Sequence, residues 1–191
     1  METLKQSIHF IIEHIDKSLS IADEKSIADA IDVIRSAPRL YVYGVGRSGL
    51  PAKAFAMRLK HLGLKVYVLG ETISPAFGTS DAVILISGSG ETPSVVKTAR
   101  TVFKLKAKII SITGNPNSTL ARLSDIVIAL QIPHQSDEEL KEFQERKKRL
   151  APLGTIFEDS CHIFLDGIVS YLMEKMGQNE ESMKYRHATI E

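Results

Sequence analysis

Residues 40–49 read LYVYGVGRSG, and residues 82–93 read AVILISGSGETP. Each stretch opens with β-branched, aromatic or long aliphatic residues, passes into a glycine-rich turn, and leads into a segment with helical spacing. The apolar runs are continuous rather than alternating, which is how a strand reads when both of its faces are covered. Comparable runs occupy 65–69, 108–112 and 126–130. The stretches 49–62 and 93–105 suit right-handed crossover helices between parallel neighbours. The pattern predicts an α/β fold, a three-layer α/β/α sandwich around a five-stranded parallel sheet, with the α/β core over 40–130.

The flanks read as helices added to that core. Within 1–38, the apolar residues Leu4, Ile8, Ile11, Ile12, Ile15 and Leu19 recur at helical spacing, and Ile27, Ala30, Ile31 and Ile34 repeat the pattern before Pro38. Both helices are amphipathic and need a surface to cover their apolar stripes. Residues 136–150 predict a charged surface helix: Ser136 and Glu139 match a capping box, acids lead, and Lys147, Lys148 and Arg149 close it as complements to the helix dipole. Residues 154–177 predict a long apolar helix ended by Gly177, and 183–191 read as a polar tail. No repeat is present, so one domain spanning 1–191 is expected.

Composition narrows the function. The chain has 191 residues, 43 % of them hydrophobic, and its 24 basic and 23 acidic side chains nearly cancel. That balance gives no electrostatic case for nucleic acid. No apolar run is long enough to span a bilayer, and the N-terminal stretch lacks a signal-peptide core. The single cysteine, Cys161, fits a reducing compartment and reads as a core residue, so a cytoplasmic protein is expected. His9, His14, His134 and His162 show no ligand spacing, and no metal site is expected.

Chemistry concentrates in the two turns, at the carboxyl ends of adjacent predicted strands, where open α/β sheets bind ligands. Glycine lets a ligand approach the backbone, and helix-start amides attract anions. Gly46, Arg47 and Ser48 in the first turn, with Ser87, Gly88, Ser89, Gly90, Glu91 and Thr92 in the second, form the candidate phosphate-binding set. Pro93 suits the first helical position, which makes Thr92 an N-cap or an anion ligand. The first turn also reads G-x-G-x-x-G with Glu71 at dinucleotide spacing, a weak match taken alone. The P-loop pattern is absent.

GVGRSG at 44–49 and SGSGET at 87–92 resemble the two signature segments of sugar isomerase (SIS) domains. With AMRLKHLG at 56–63, APLGTIFE at 151–158 and Arg186-His187 near the C-terminus, they resemble 6-phospho-3-hexuloisomerases, in order from about residue 40 onward. The charged segment 135–150 is longer than that pattern. The resemblance implies interconversion of an arabino-3-hexulose 6-phosphate and fructose 6-phosphate through an enediol. It also implies no metal or organic cofactor, a homo-oligomer (a tetramer), and service in formaldehyde fixation by the ribulose monophosphate pathway. By position alone Glu158 is a first-turn acid suited to the helix dipole; the resemblance makes it the catalytic base. His61, otherwise a helix-end cation, and His187, in the tail, are alternative acid/base partners, and the sequence does not choose between them. Competing readings are another aldose–ketose phosphosugar isomerase, a phosphosugar-sensing domain without catalysis, and a nucleotide-binding protein.

Overall fold

The computed structural model describes residues 1–134 and 136–187. Strands β1 (Leu40–Gly44), β2 (Val66–Val68), β3 (Ala82–Ile86), β4 (Lys108–Thr113) and β5 (Ile126–Ala129) form one parallel sheet in the order β2-β1-β3-β4-β5. Leu40 sits opposite Val66 on one side and Ala82 on the other, and Ile86 sits opposite Ile112. The continuous apolar runs resolve into two alternating sets. Leu40, Val42, Ile84, Ile110 and Ile112 face helices α2 (Glu24–Ser36), α3 (Gly49–His61) and α7 (Thr155–Lys175). Tyr41, Val83, Leu85 and Ile109 face α4 (Pro93–Lys104) and α5 (Thr119–Arg122). Each such fully buried side chain contributes about 1.5–3 kcal/mol of burial free energy.

The strand order reverses between β1 and β3. The helices that follow these two strands therefore leave to opposite faces, and a crevice opens at their carboxyl ends. The backbone turns tightly there. A Cβ on Gly44 would lie 2.5 Å from the Ser48 carbonyl oxygen, so β1 can enter the turn Gly46–Ser48 only without a side chain.

A third, smaller core joins the N-terminal helix to the segment that precedes α7. Helix α1 (Glu2–Leu19) packs on α6 (Asp137–Leu150) through Phe10, Ile15, Phe143 and Leu150. The rings of Phe10 and Phe143 stack at 6.0 Å, and Ser7 Oγ donates to the Leu150 carbonyl at 2.6 Å. The Ser136 hydroxyl accepts the Glu139 N–H, as the capping-box spacing predicts. In α7 a buried stripe runs from Ile156 through Cys161, Leu165, Ile168 and Leu172, while Ile163 and Tyr171 remain exposed.

The expected polar tail is corrected in part. Residues Glu180–Tyr185 form helix α8, capped reciprocally by Asn179 and Ser182, with Met183 buried in the main core. Arg186 fastens its end by donating to the His61 carbonyl and to Gln178 Oε1. The remainder of that tail, 188–191, and Gln135 at the head of the charged segment lie outside the described residues.

Candidate active site

A cavity of about 570 Å³ occupies the crevice at the strand ends, within the usual range for a small-molecule site. The second turn forms its floor. Gly90, at φ +66°, takes the left-handed conformation, and a Cβ there would lie 2.0 Å from Ser118 Oγ. The fold of the turn lets Ser87 act from below: its buried hydroxyl meets Thr92 Oγ1 at 2.9 Å and accepts the Gly90 N–H at 3.2 Å. Thr92 stands at the N-cap position of α4, but with its hydroxyl engaged by Ser87 it caps no amide. Among the described residues no side chain caps the opening amides of α4, which lie beside the cavity-lining Gly88, Ser89 and Thr92 and provide an anion cradle. Gly114, after β4, donates its N–H to the Gly88 carbonyl at 3.0 Å and ties two strand ends together.

The first turn supplies Ser48 to the same cavity. Arg47 Nε donates to Glu158 Oε2 across 111 residues of sequence. The Arg47 side chain is 53 % exposed and that of Glu158 only 12 %, so the guanidinium reaches in from solvent to a shielded carboxylate. Glu158 is positioned by the first turn of α7, its N–H bonded to the Gly154 carbonyl at 3.0 Å. Its carboxylate lies directly over Gly154, where a Cβ would come within 2.8 Å of Oε1. Just before this, Leu153 adopts a positive φ of 56°, a strained conformation at the turn that delivers the carboxylate. A cradle for an anion and a carboxylate with one guanidinium partner therefore share one cavity.

Some of the expected residues stand elsewhere. Gly46 lines a neighbouring cavity, where Glu71, at the ribose-acid spacing, is paired with Lys53 Nζ at 3.2 Å. Glu91 turns away from the cradle and accepts the Thr119 N–H at 2.6 Å; that backbone bond, with the Thr119 hydroxyl, holds its carboxyl below the ordinary range. His61 and His187 pair with each other, ring centroids 4.9 Å apart, and line a separate cavity with Arg58 and Lys184. Burial, then the neighbouring His187 and Arg58, keep the His61 imidazole below its ordinary pKa. Helix α3 begins at the first turn and ends at His61, so its length puts about 18 Å between them. Within one chain neither histidine joins Glu158.

Other residues that the sequence does not place at the site complete the cavity: Ser18 from α1, Gln131 and His134 after β5, Phe143 and Lys147 from α6, and Gly154; of these, Lys147 reads in the sequence as a dipole complement and His134 as lacking ligand spacing. Among the described residues no group of three or more His, Cys, Asp or Glu is arranged to hold a metal. No described helix is long and apolar enough to cross a membrane.

The comparisons with known proteins follow the same lines. An uncharacterized protein of Methanothermobacter thermautotrophicus is 41 % identical over 196 residues, covering 100 % of this chain and 98 % of its own. The Bacillus subtilis protein named 3-hexulose-6-phosphate isomerase is 34 % identical, covering 95 % of each chain. A crystal structure from Methanococcus jannaschii, for which a function of 3-hexulose-6-phosphate isomerase was inferred, superposes with a TM-score of 0.80 at 33 % identity, over 100 % of both chains. The SIS domain profile matches residues 33–145, which include the whole sheet and both glycine-rich turns. By fold, turns and relatives, this chain belongs to the SIS domain family.

Proposed function

We propose that the protein interconverts an arabino-3-hexulose 6-phosphate and fructose 6-phosphate by proton transfer through an enediol. The observation that carries this reading is the sharing of one cavity by the anion cradle at α4 and the shielded carboxylate of Glu158. The phosphate sits on the opening amides of α4, where the helix contributes about half a positive charge, with the hydroxyls of Ser48, Ser89 and Thr92 as further donors. Glu158 takes the C3 proton of fructose 6-phosphate. The C–H electrons form the C2=C3 bond, O2 gains a proton and O3 loses one, and Glu158 returns its proton to C2 as the C3 carbonyl forms. A positioned base of this kind supplies about 10²–10⁴-fold. Arg47 holds the resting carboxylate, and a phosphorylated polyol entering the cavity offers the guanidinium other acceptors. Relatives named 3-hexulose-6-phosphate isomerase at 34 % and 35 % identity support the same reaction class.

The test is NMR of the purified protein with fructose 6-phosphate in deuterium oxide. Deuterium at C3 with a 3-ketose product supports the reading. An aldose product would favour an aldose–ketose isomerase, and no exchange a sensor. Glu158→Gln is expected to abolish exchange and keep phosphate binding. A part for His61 or His187 requires the cavity of a second copy of the chain, in line with the homo-oligomer that the resemblance implies. Mixing Glu158→Gln with His61→Ala or His187→Ala should then restore turnover that each lacks alone.

A further inference from the structure

We propose that Lys147 is the electrophile of this site, its ammonium meeting the O2 and O3 oxygens of the bound sugar opposite Glu158; this rests on the reaction proposed above. Taking a proton from carbon leaves negative charge on the carbonyl oxygen, and a cation or donor must meet it. His61 and His187 do not supply that group within the chain, because they line a different cavity. Lys147 lines the same cavity as Glu158.

The placement follows from helical spacing. Phe143, Lys147 and Leu150 fall at i, i+4 and i+7 on one face of α6, and Phe143 and Leu150 are buried. Lys147 is half-buried between them, while Lys148 and Arg149 are exposed. Dipole complementarity and solubility are served by those two outward residues and do not require an inward lysine. Arg146 and Lys148 are paired with Glu142 and Glu145, whereas the Lys147 ammonium stands 5.7 Å from the Phe143 ring and has no ion pair among the described residues.

Two further atoms on this wall point to a polar occupant. Ser18 and His134 both line the cavity, and their buried Oγ and Nδ1 atoms have no hydrogen-bond partner among the described residues. Buried polar atoms left unpaired are costly, and a small rotation of either side chain toward the cavity would let an occupant rich in hydroxyls satisfy it.

The experiment compares Lys147→Met, Lys147→Arg and Lys148→Met with the wild type, reading kcat and KM from deuterium exchange at C3 of fructose 6-phosphate. Lys147→Met is expected to lose about 10²–10³-fold in kcat with KM nearly unchanged. Lys147→Arg should recover part of that loss, and Lys148→Met should match the wild type. A hydroxamate analogue of the enediolate carrying the same phosphate should bind Lys147→Met more weakly by a similar factor, while inorganic phosphate binds equally. Wild-type kcat in Lys147→Met, or a rise in KM alone, would overturn the proposal and leave the proposed reaction standing. Absence of exchange in the wild type would overturn both. Should Lys147→Met fail to fold by circular dichroism, Lys147→Gln takes its place, with the same loss in kcat expected and the same two results overturning the proposal.

Discussion

Gly154→Ala isolates the placement of the carboxylate from its chemistry. The backbone at Gly154, φ −87° and ψ 8°, accepts alanine without strain. The new Cβ would stand 2.8 Å from Glu158 Oε1 and 2.9 Å from Cδ, whereas ordinary contact begins at 3.4 Å. The carboxylate, the far end of a flexible side chain, must therefore retreat by about 0.6 Å, away from the position in which Arg47 holds it. Misplacement of a reacting group by about 1 Å can cost about 10²-fold, so this shift corresponds to a loss on the order of 10-fold in kcat. That is about 1.4 kcal/mol of activation free energy. Stability should barely respond, because an alanine at this helix start costs only about 1 kcal/mol and stiffening the unfolded chain offsets part of it. The assay is steady-state turnover of fructose 6-phosphate alongside thermal unfolding. A folded variant with wild-type kcat would show that the carboxylate position does not matter to the reaction. A loss confined to phosphate affinity would place the effect in the cradle instead.

The second turn and the buried histidines give two further expectations. Gly90→Ala adds a left-handed alanine, costing about 1–2 kcal/mol. It also sets a Cβ 2.0 Å from Ser118 Oγ, an overpacking of about 1–3 kcal/mol more. The melting temperature should fall on the order of 10 °C, and an unchanged value would refute the tight turn. His14, pressed between Phe10 and Phe143, and His61 both titrate below their ordinary value, chiefly because burial disfavours the imidazolium. Between the folded and unfolded pKa values the unfolded chain binds more protons. Stability is therefore full above the ordinary value of 6.5 and falls as the pH drops below it. The urea midpoint should decline on acidification through that window, less steeply in His14→Gln, and a midpoint that rises would contradict the assignment.

The sheet was legible because each strand is covered on both faces, which writes its residues as an unbroken apolar run; 82–86 is found where it was expected. The two turns were legible because glycine and hydroxyl residues follow strands at the crevice. Glu158 was not readable from charge or spacing, and only the PLGTIFE segment singled it out. One wall of the cavity escaped for a physical reason: Ser18 and Lys147 come to the same cavity through the packing of α1 on α6, and local periodicity carries no trace of that packing. The one available signal was the i, i+4, i+7 relation of Phe143, Lys147 and Leu150, which the outward-facing neighbours Lys148 and Arg149 masked. Helix α8 escaped because its cap pairs Asn179 with Ser182 rather than with an acid. His61 was named by its motif, but a motif places a residue in order along the chain and carries no trace of the separate cavity that His61 shares with His187.

The small core of Phe10, Ile15, Phe143 and Leu150 gives the molecule a division of labour. The sheet, with its glycine turns, carries the proposed anion cradle, which depends on contacts within the central stretch of sequence. The wall bearing Ser18 and Lys147 is instead held where the N-terminal helix α1 packs on α6, outside the sheet. Under the proposed reaction, selectivity among phosphorylated sugars is therefore free to drift through changes in α1 and α6 while the cradle stays as it is.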